Sequence, residues 1–571
     1  MSRRTILVAS LFSAATAQAQ EPIVRANLSS TGAEATRHSY ATPLRQVISA
    51  DGRFVVFTSA DTNLVPNDTN GFDDVFVRDL VAGTTIRVSV ATGGAEGNGE
   101  STEASLTSDG RFVVFTSEAD QLVANDTNGT WDIFVHDRDP DGNGLFDESN
   151  ATTERVDVAS DGTEANNGST VPSISDNGDK IAFRSSSTNL IANDKNGKAD
   201  IFVHVRSTGL TARVSKATSG VAADGDSDQP QISGDGSAVV FRSIATNLAG
   251  IDGNGDWDIF VRDLVNSVTE RVSTDANGVN ANHASDTPTI TSDGRYVCFR
   301  SPATNLFPEN DPNGNSQDVF VKDRLTGAVD CMTIDSQGFA GRDGNGGSIS
   351  PDGTKVAFYS GYPLFVPVDT NAASDVFVRD VATKAIVCAS VNCMGIPAAG
   401  GSDDGIGLSS DGRYVVFDSL SSELVSGDTN NAYDVFVNDL TNPGFQAYWA
   451  NYGAGWPGTK GIPSFTASGD PEFGATIDLQ VANSWGKWQV GFLLIGFGET
   501  NVPTGLGGSI LVDLLYYETE VIPPSGWIEP TAIPYDPALC GLEADLQMLE
   551  VDPGVSKGFS FTPGLALLFG R

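Results

Sequence analysis

The sequence predicts an all-β chain, and three observations predict it. A Ser/Thr-x-Asp-Gly turn recurs at Asp51, Asp109, Asn177, Asp235, Asp293, Asp352 and Asp411, at intervals of 58 or 59 residues with one of 68. Between turns, the apolar residues are β-branched or aromatic and come in short runs bounded by Gly, Asn and Asp, which is a strand-and-hairpin pattern. No stretch of helical period and useful length separates them.

The first copy shows each element in order. Ser49-Ala50-Asp51-Gly52 is the turn, Val55-Val56-Phe57 a strand, Asp68-Thr69-Asn70-Gly71 an acidic loop, and Asp74-Val75-Phe76-Val77 the next strand. The second copy supplies all four strands: Glu103–Thr107, Arg111–Ser117, Asp132–Asp137 and one ending Arg155-Val156-Asp157-Val158. Four antiparallel strands per unit make a β-propeller blade, and self-similarity at fixed spacing marks repeat architecture. The interval from the turn position to the Asp of Asp-x-Phe-Val is 23 residues in six copies and 25 in the fifth.

The seventh copy lacks a last strand, because Asn438-Asp439-Leu440 runs into Thr441-Asn442-Pro443-Gly444. Ile23-Val24-Arg25-Ala26-Asn27-Leu28 reads like Ile86-Arg87-Val88-Ser89-Val90 and has no repeat of its own. A ring cannot leave two open edges without inviting aggregation. The expectation is a seven-bladed β-propeller over residues 20–442, closed by the N-terminal strand. Residues 443–571, rich in Gly, Pro and Trp with strand-like runs at 475–482, 488–497, 509–517, 542–551 and 558–568, read as a β-sandwich or jelly-roll-like domain. Trp456, Trp485, Trp488 and Trp527 there offer either core packing or a sugar-stacking face.

The repeat Ser-x-Asp-Gly-Arg-x-Val-x-Phe followed by Asp-Val-Phe-Val-x-Asp resembles the TolB-like, WD-like propeller repeats of exported bacterial proteins over residues 20–440. The resemblance implies blade architecture and leaves activity open. The chain departs from the Tol-system protein in having seven repeats rather than six and no extra N-terminal domain. In the tail, Ser468-Gly469-Asp470-Pro471, Asp536-Pro537-Ala538-Leu539-Cys540-Gly541 and Leu565-Ala566-Leu567 resemble C-terminal modules of planctomycete-like secreted proteins.

Residues 1–19 read as an export signal: Arg3 and Arg4, an apolar Ile6–Phe12, and Ala17-Gln18-Ala19 before the cleavage point. That predicts a periplasmic, extracellular or cell-surface protein, with no transmembrane anchor, since the apolar run is too short to span. Net charge of −39, from 34 Lys+Arg against 73 Asp+Glu, repels phosphate backbones and anionic lipid, so nucleic acid is excluded as a partner. Five cysteines make no disulfide framework. Cys331 and Cys388 are read at the position of a strand valine, and Cys388 and Cys393 are near enough in sequence to pair.

One blade breaks the measure. Asp132 to Val156 spans 24 residues where other blades have 13 or 14, so about ten are inserted, and they carry Asp139-Pro140-Asp141-Gly142-Asn143-Gly144-Leu145-Phe146-Asp147-Glu148. Alternate acidic residues around a glycine turn are what calcium's six to eight oxygen ligands require. A register from Asp137 to Glu148 matches the EF-hand loop pattern; one from Asp139 resembles thrombospondin type 3 loops. Lacking flanking helices, the Asp139 register is preferred, with Asp139, Asp141, Asn143 and Asp147 as calcium ligands. The Asp-x-Asn-Gly loop of every blade is read first as a structural turn.

No catalytic constellation emerges. A prolyl-oligopeptidase-type triad would need Gly-x-Ser-x-Gly and a later His, and the last of four histidines is His283. His136 and His204 share the blade position of Arg78 and Arg262 and are read as surface residues. The functional expectation is a secreted, calcium-supported, non-enzymatic binding or scaffold protein holding a protein or glycan on its acidic loop face. A polysaccharide-degrading enzyme with a carboxylate pair in the propeller funnel, and a structural cell-surface component, remain as alternatives.

Overall fold

The computed structural model describes residues 23–570 apart from 44, 308–313, 336–337, 341–343, 367–368, 370, 372, 426, 443–446, 507 and 535–538. The export signal at 1–19 and the fifth acidic loop's Asp311 and Asn313 therefore lie outside the described residues, as does Asp536 of the tail motif. The described chain is all-β, and no helix in it is long and apolar enough to cross a membrane. It divides into two compact units: Ile23–Val391 with Pro397–Thr441, and Asn392–Ile396 with Asn442–Arg571.

The first unit holds seven four-stranded antiparallel sheets among the described residues. The second of them runs Ser101–Leu106, Phe112–Ser117, Asp132–Asp137 and Thr152–Arg155, close to the strands read from sequence. The two middle strands of this sheet are buried along their whole length, because both of its faces meet neighbouring sheets. At the centre of each sheet a Phe of the second strand faces a Phe of the third. The seven pairs, from Phe57–Phe76 to Phe417–Phe436, have ring centroids 5.6–6.0 Å apart. Each such contact adds roughly 0.5–1.5 kcal/mol beyond area burial.

Apolar cores lie between consecutive sheets. One joins Val114 and Ile133 to Ile181 and Phe202, another joins Ile201 and Val203 to Val239 and Phe260, and the series continues to the seventh sheet. The first sheet's core contains Val416, Val435 and Val437 of the seventh, so the sequence of interfaces returns to its start. Ile23–Arg25 pairs antiparallel with Asp434–Asp439, with Ile23 opposite Asn438 and Arg25 opposite Phe436. It fills the place of the last strand that the seventh repeat lacks.

The Ser/Thr-x-Asp-Gly motif is a hydrogen-bonded turn. Ser49 Oγ donates to Asp51 Oδ1 at 2.6 Å, the Arg53 amide donates to the same oxygen at 3.0 Å, and the Phe54 amide donates to Ser49 Oγ at 2.9 Å. Gly52 takes a φ of +76°, and a Cβ there would meet the Tyr414 ring of the seventh sheet at 2.3 Å. The glycine is thus fixed by both backbone handedness and the close approach of the preceding sheet.

In the second unit, a six-stranded sheet includes Tyr448–Tyr452, Gln489–Pro503, Ser509–Ile522, Glu543–Val551 and Gly564–Leu568, and a three-stranded sheet contains Phe465–Ala467, Thr476–Val481 and Trp527–Ala532. Their inner faces share one core, in which Phe465, Leu479 and Trp527 meet Leu493, Met548 and Leu565. Of the four tryptophans, Trp527 is buried, Trp456 and Trp488 are exposed, and Trp485 lies under the Lys487 ammonium at 5.0 Å.

Three expectations need correcting. Cys393 is bonded to Cys540, 147 residues away, and Cys388 is free. Cys331 and Cys388 face Phe320 and Phe377, the register position of Arg87 opposite Phe76, so they replace an arginine; Met332 and Ala389 stand where Val88 does. His136 and His204 are buried, because this position tucks beneath the exit loop of the preceding sheet. His136 Nδ1 lies 2.9 Å from Thr153 Oγ1, and burial pushes its pKa down to about 4.

Two stability outcomes follow from these contacts. Gly52→Ala is expected to cost about 3 kcal/mol, since it displaces Tyr414. Gly71→Ala, with a similar φ of +71° and open space around it, is expected to cost about 1 kcal/mol. Equal losses in urea unfolding would mean that the first and seventh sheets do not meet. Reducing Cys393–Cys540 is expected to destabilise the second unit by about 5 kcal/mol from the loop length alone, seen as a lowered melting transition in dithiothreitol.

Candidate functional site

The first strand of six of the seven sheets breaks register at an equivalent point, as between Thr102 and Ser105 or Asp228 and Gln231. Glu103, Val171, Gln229 and Thr287 take φ values of +51° to +57° there, and Gly346 takes +72°. A non-glycine residue in this region is strained, and bulges of this kind re-aim side chains. The residues so displaced line one cavity of about 390 Å³ with Arg45, Asp228 and Arg300. Its walls come from six sheets, and its volume falls in the range of small-ligand sites.

The lining is charged but internally engaged. Glu103 Oε2 accepts from Thr116 Oγ1 at 2.9 Å and from the Val171 amide at 2.6 Å. Asp228 accepts from Arg242 at 2.8 Å, and Arg300 binds Asp286 through two bonds of 2.9 and 2.8 Å while reaching Asn345 at 2.9 Å. Arg45 is buried, which pulls its pKa down to about 10 against the counter-pull of Glu103 and Asp228. The cavity is therefore an arrangement of fixed dipoles and paired charges of both signs. Sequence reading missed it; the signal available was a charged or amide residue inside an otherwise buried first strand.

The acidic loops are closed from within. Asn70 Nδ2 donates to Asp74 at 3.0 Å and to the Gly97 carbonyl at 3.1 Å, while its Oδ1 accepts from the Phe72 amide at 2.9 Å. The carboxylates of Asp68, Asp74 and Glu96 come close enough to hold a cation, but the Arg87 guanidinium already sits among them at 3.4, 3.0 and 2.7 Å. Arg155 does the same for Asp126, Asp132 and Glu164, and Arg25 for Glu34, Asp428 and Asp434. In the sixth sheet Cys388 stands in the arginine's place. There Asp369 is buried with neither oxygen hydrogen-bonded among the described residues, and burial raises its pKa.

The ten-residue insertion folds as a hairpin with its own counter-ion. Arg138, 1% exposed, holds Asp147 through two bonds of 2.7 and 2.6 Å and donates to the Gly110 carbonyl at 2.6 Å. Its guanidinium packs against both Phe54 and Phe146, whose rings meet edge to face. Asp139 accepts the amides of Asn143 and Gly144 at 3.0 and 2.9 Å; Asn143 donates to Asp141 at 3.2 Å and Glu148 at 2.8 Å. Asp139, Asp141, Asn143 and Asp147 are thus brought into one loop. Asp147 is already paired with Arg138, so a cation bound by these four residues would have to share or displace that ion pair.

One blade carries a second anomaly. Where other sheets place Ser89, Ser215, Ser273, Thr333 or Ser390 against the buried aspartate that opens the third strand, the second places Asp157 against Asp132. Burial, with the Asp157 charge beside it, pushes Asp132 up to about 8.

No protein-family model matches the chain, and no curated protein matches it. Solved structures do. One is a protein assigned as TolB from Agrobacterium tumefaciens, 17% identical, covering 52% of this chain and 80% of that one at a TM-score of 0.31. A prolyl endopeptidase is 14% identical, covering 79% of this chain and 55% of its own at 0.41. A puromycin-hydrolysing peptidase of Mycobacterium tuberculosis is 14% identical, covering 67% and 50% at 0.35. The chain spans about half the length of these two peptidases.

The Asp132–Asp157 pair gives a pH signature. A carboxyl that keeps its proton in the folded chain but loses it near pH 4 when unfolded makes the fold less stable as pH rises between those values. Stability should therefore fall from about pH 4 toward pH 8. Asp157→Ser should raise it by on the order of 2 kcal/mol at pH 8 and hardly at all at pH 4. Parallel pH profiles for the two proteins would show that the carboxyls are not coupled.

Proposed function

We propose that the protein is an exported, non-enzymatic binding scaffold: a seven-bladed β-propeller with a C-terminal β-sandwich, taking a glycan ligand in the central cavity. The observation that carries this reading is the cavity wall itself. Five first strands that depart from register at equivalent points present backbone and polar side chains to one space of about 390 Å³, which Thr42, Pro43 and Arg45 of the first sheet complete. Backbone strain repeated in this way is a feature of binding sites. Fixed donors and acceptors of both signs suit a hydroxyl-rich ligand better than a strongly charged one.

The Cys393–Cys540 disulfide supports export, since such bonds persist in oxidising compartments. The acidic loops keep a role as the outer rim, with carboxylates held by arginine in five of the seven sheets. A polysaccharide-degrading enzyme is the second reading, favoured by two carboxylates, Glu103 and Asp228, that both line the cavity. Both are already occupied by donors, which suits a positioned wall better than a proton shuttle.

The full chain applied to an array of neutral and acidic oligosaccharides should bind a subset, and Arg45→Ala and Glu103→Gln should each weaken binding by roughly tenfold or more. Release of new reducing ends from the same panel, lost in Glu103→Gln and Asp228→Asn, would favour the enzyme instead. Binding untouched by Arg45→Ala and Glu103→Gln would move the ligand off the cavity.

A further inference from the structure

The second unit contains an acidic cluster unlike those of the first. Gln489–Pro503 pairs with Glu543–Val551 up to Gly496 opposite Asp545. On its other side, the same strand loses register with Ser509–Ile522 between Gly496 and Glu499. A Cβ at Gly496 would fall 2.0 Å from the Asp513 carbonyl oxygen, so the backbone is drawn tight at the bulge. Glu543 and Asp545, two apart on one strand, share a face. Together these features place one carboxylate oxygen from each of Glu499, Glu543 and Asp545 within 4.8 Å of the others.

Three features separate this trio from the acidic loops of the seven sheets. It contains no arginine or lysine: no ion pair to any of the three exists among the described residues, whereas Asp68, Asp74 and Glu96 share Arg87. Asp545 is fully buried, and neither of its oxygens makes a hydrogen bond of ordinary geometry among the described residues, although the Tyr452 hydroxyl and the Gly498 amide lie beside it. The neighbouring Tyr452 hydroxyl gives its proton to the Leu511 carbonyl, at 3.1 Å. Finally, exposure grades outward from buried Asp545 through half-buried Glu543 to exposed Glu499, which leaves a route from solvent.

A buried carboxylate without a partner is among the most costly groups a fold can hold, and it is relieved by a proton or by a cation. Burial disfavours the ionised form of Asp545, and the Glu543 and Glu499 carboxylates beside it add to that cost. The donors are all oxygen. That selects a hard cation over zinc, which takes nitrogen and sulfur. Carboxylates on a bulged, unevenly spaced strand pair suit calcium's flexible coordination better than the strict octahedron of magnesium.

We propose that Glu499, Glu543 and Asp545 form a calcium site in the C-terminal unit, with Asp545 as its buried anchor. The site is independent of the cavity and of the glycan-binding reading.

The test uses the full chain, stripped with chelator and titrated with calcium chloride, following the melting transition and calorimetric binding. Terbium, a luminescent calcium substitute, provides a second signal. Calcium should raise the melting temperature of the wild type, and terbium emission should be excitable through the tyrosines that adjoin the trio. Asp545→Asn should abolish the calcium response while melting in chelator at or above the wild type, since it removes an unpartnered buried charge. Should Asp545→Asn not fold, the Glu499→Gln/Glu543→Gln double variant, at exposed and half-buried positions, should still lose the response. Asp139→Asn/Asp141→Asn should keep it. The proposal fails if calcium leaves the wild type unchanged, if the response survives in the trio variants, or if it is lost in Asp139→Asn/Asp141→Asn.

Discussion

Each sheet of the first unit depends on a buried aspartate at the head of its third strand. Asp74 shows the arrangement: Ser89 Oγ from the last strand donates to it at 2.6 Å and receives the Val75 amide at 3.0 Å. Asn70 closes the acidic loop onto its second oxygen, and Arg87 supplies the compensating charge. One carboxylate thus ties together the third strand, the fourth strand and the loop between the second and third. Buried ion pairs add little when compared with an apolar substitute, but removing one partner typically costs 3–5 kcal/mol. Such a group specifies an arrangement more than it stabilises one.

The seventh sheet shows why the ring needs its N-terminal strand. Asp434 has no downstream Arg or Ser to serve it. Its guanidinium is Arg25 at 3.3 Å, and Asn27 takes the serine's place, donating to Asp434 while its Oδ1 accepts the Val435 amide at 3.1 Å. Without residues 23–27 the aspartate would keep Asn430 as a donor but lose its counter-ion, and a strand edge would lie open as well. Polar satisfaction and edge protection impose the same closure, and Tyr414 against Gly52 adds a packing constraint to it.

Much of this was legible from spacing. Turn-to-strand intervals located every middle strand, and the missing last strand pointed to Ile23–Arg25. The cysteines show where the reading failed. Asp74 to Val88 is 14 residues while Asp318 to Cys331 and Asp375 to Cys388 are 13, and that single residue moves the side chain from the valine position to the arginine position. The failures elsewhere are of another kind. Arg138 precedes the insertion directly, but nothing in a string of acids says that this guanidinium will turn inward and take Asp147. Cys393 with Cys540, and Glu499 with Glu543 and Asp545, are brought together only by the tertiary fold. The buried histidines were misplaced because a polar residue alternating on a strand looks solvated until a neighbouring sheet covers it.

The departures from the repeated clamp carry more functional meaning than the clamp itself. With 34 basic residues against 73 acids, not every carboxylate can be neutralised, and five of the seven sheets place an arginine against the buried aspartate of the third strand. Where the arginine is absent or outnumbered, three different arrangements appear. Asp132 faces both Arg155 and Asp157, and burial, with the Asp157 charge beside it, pushes it up to about 8. Asp369, near Cys388, has no ion pair among the described residues. Asp545 sits with two further carboxylates in an all-oxygen cluster open to solvent on one side. Only the last combines an unpartnered buried anchor, converging donors and an access route. Five of the seven sheets meet their buried aspartate with an arginine, and the calcium proposed at Glu499, Glu543 and Asp545 would meet the same requirement from outside the chain.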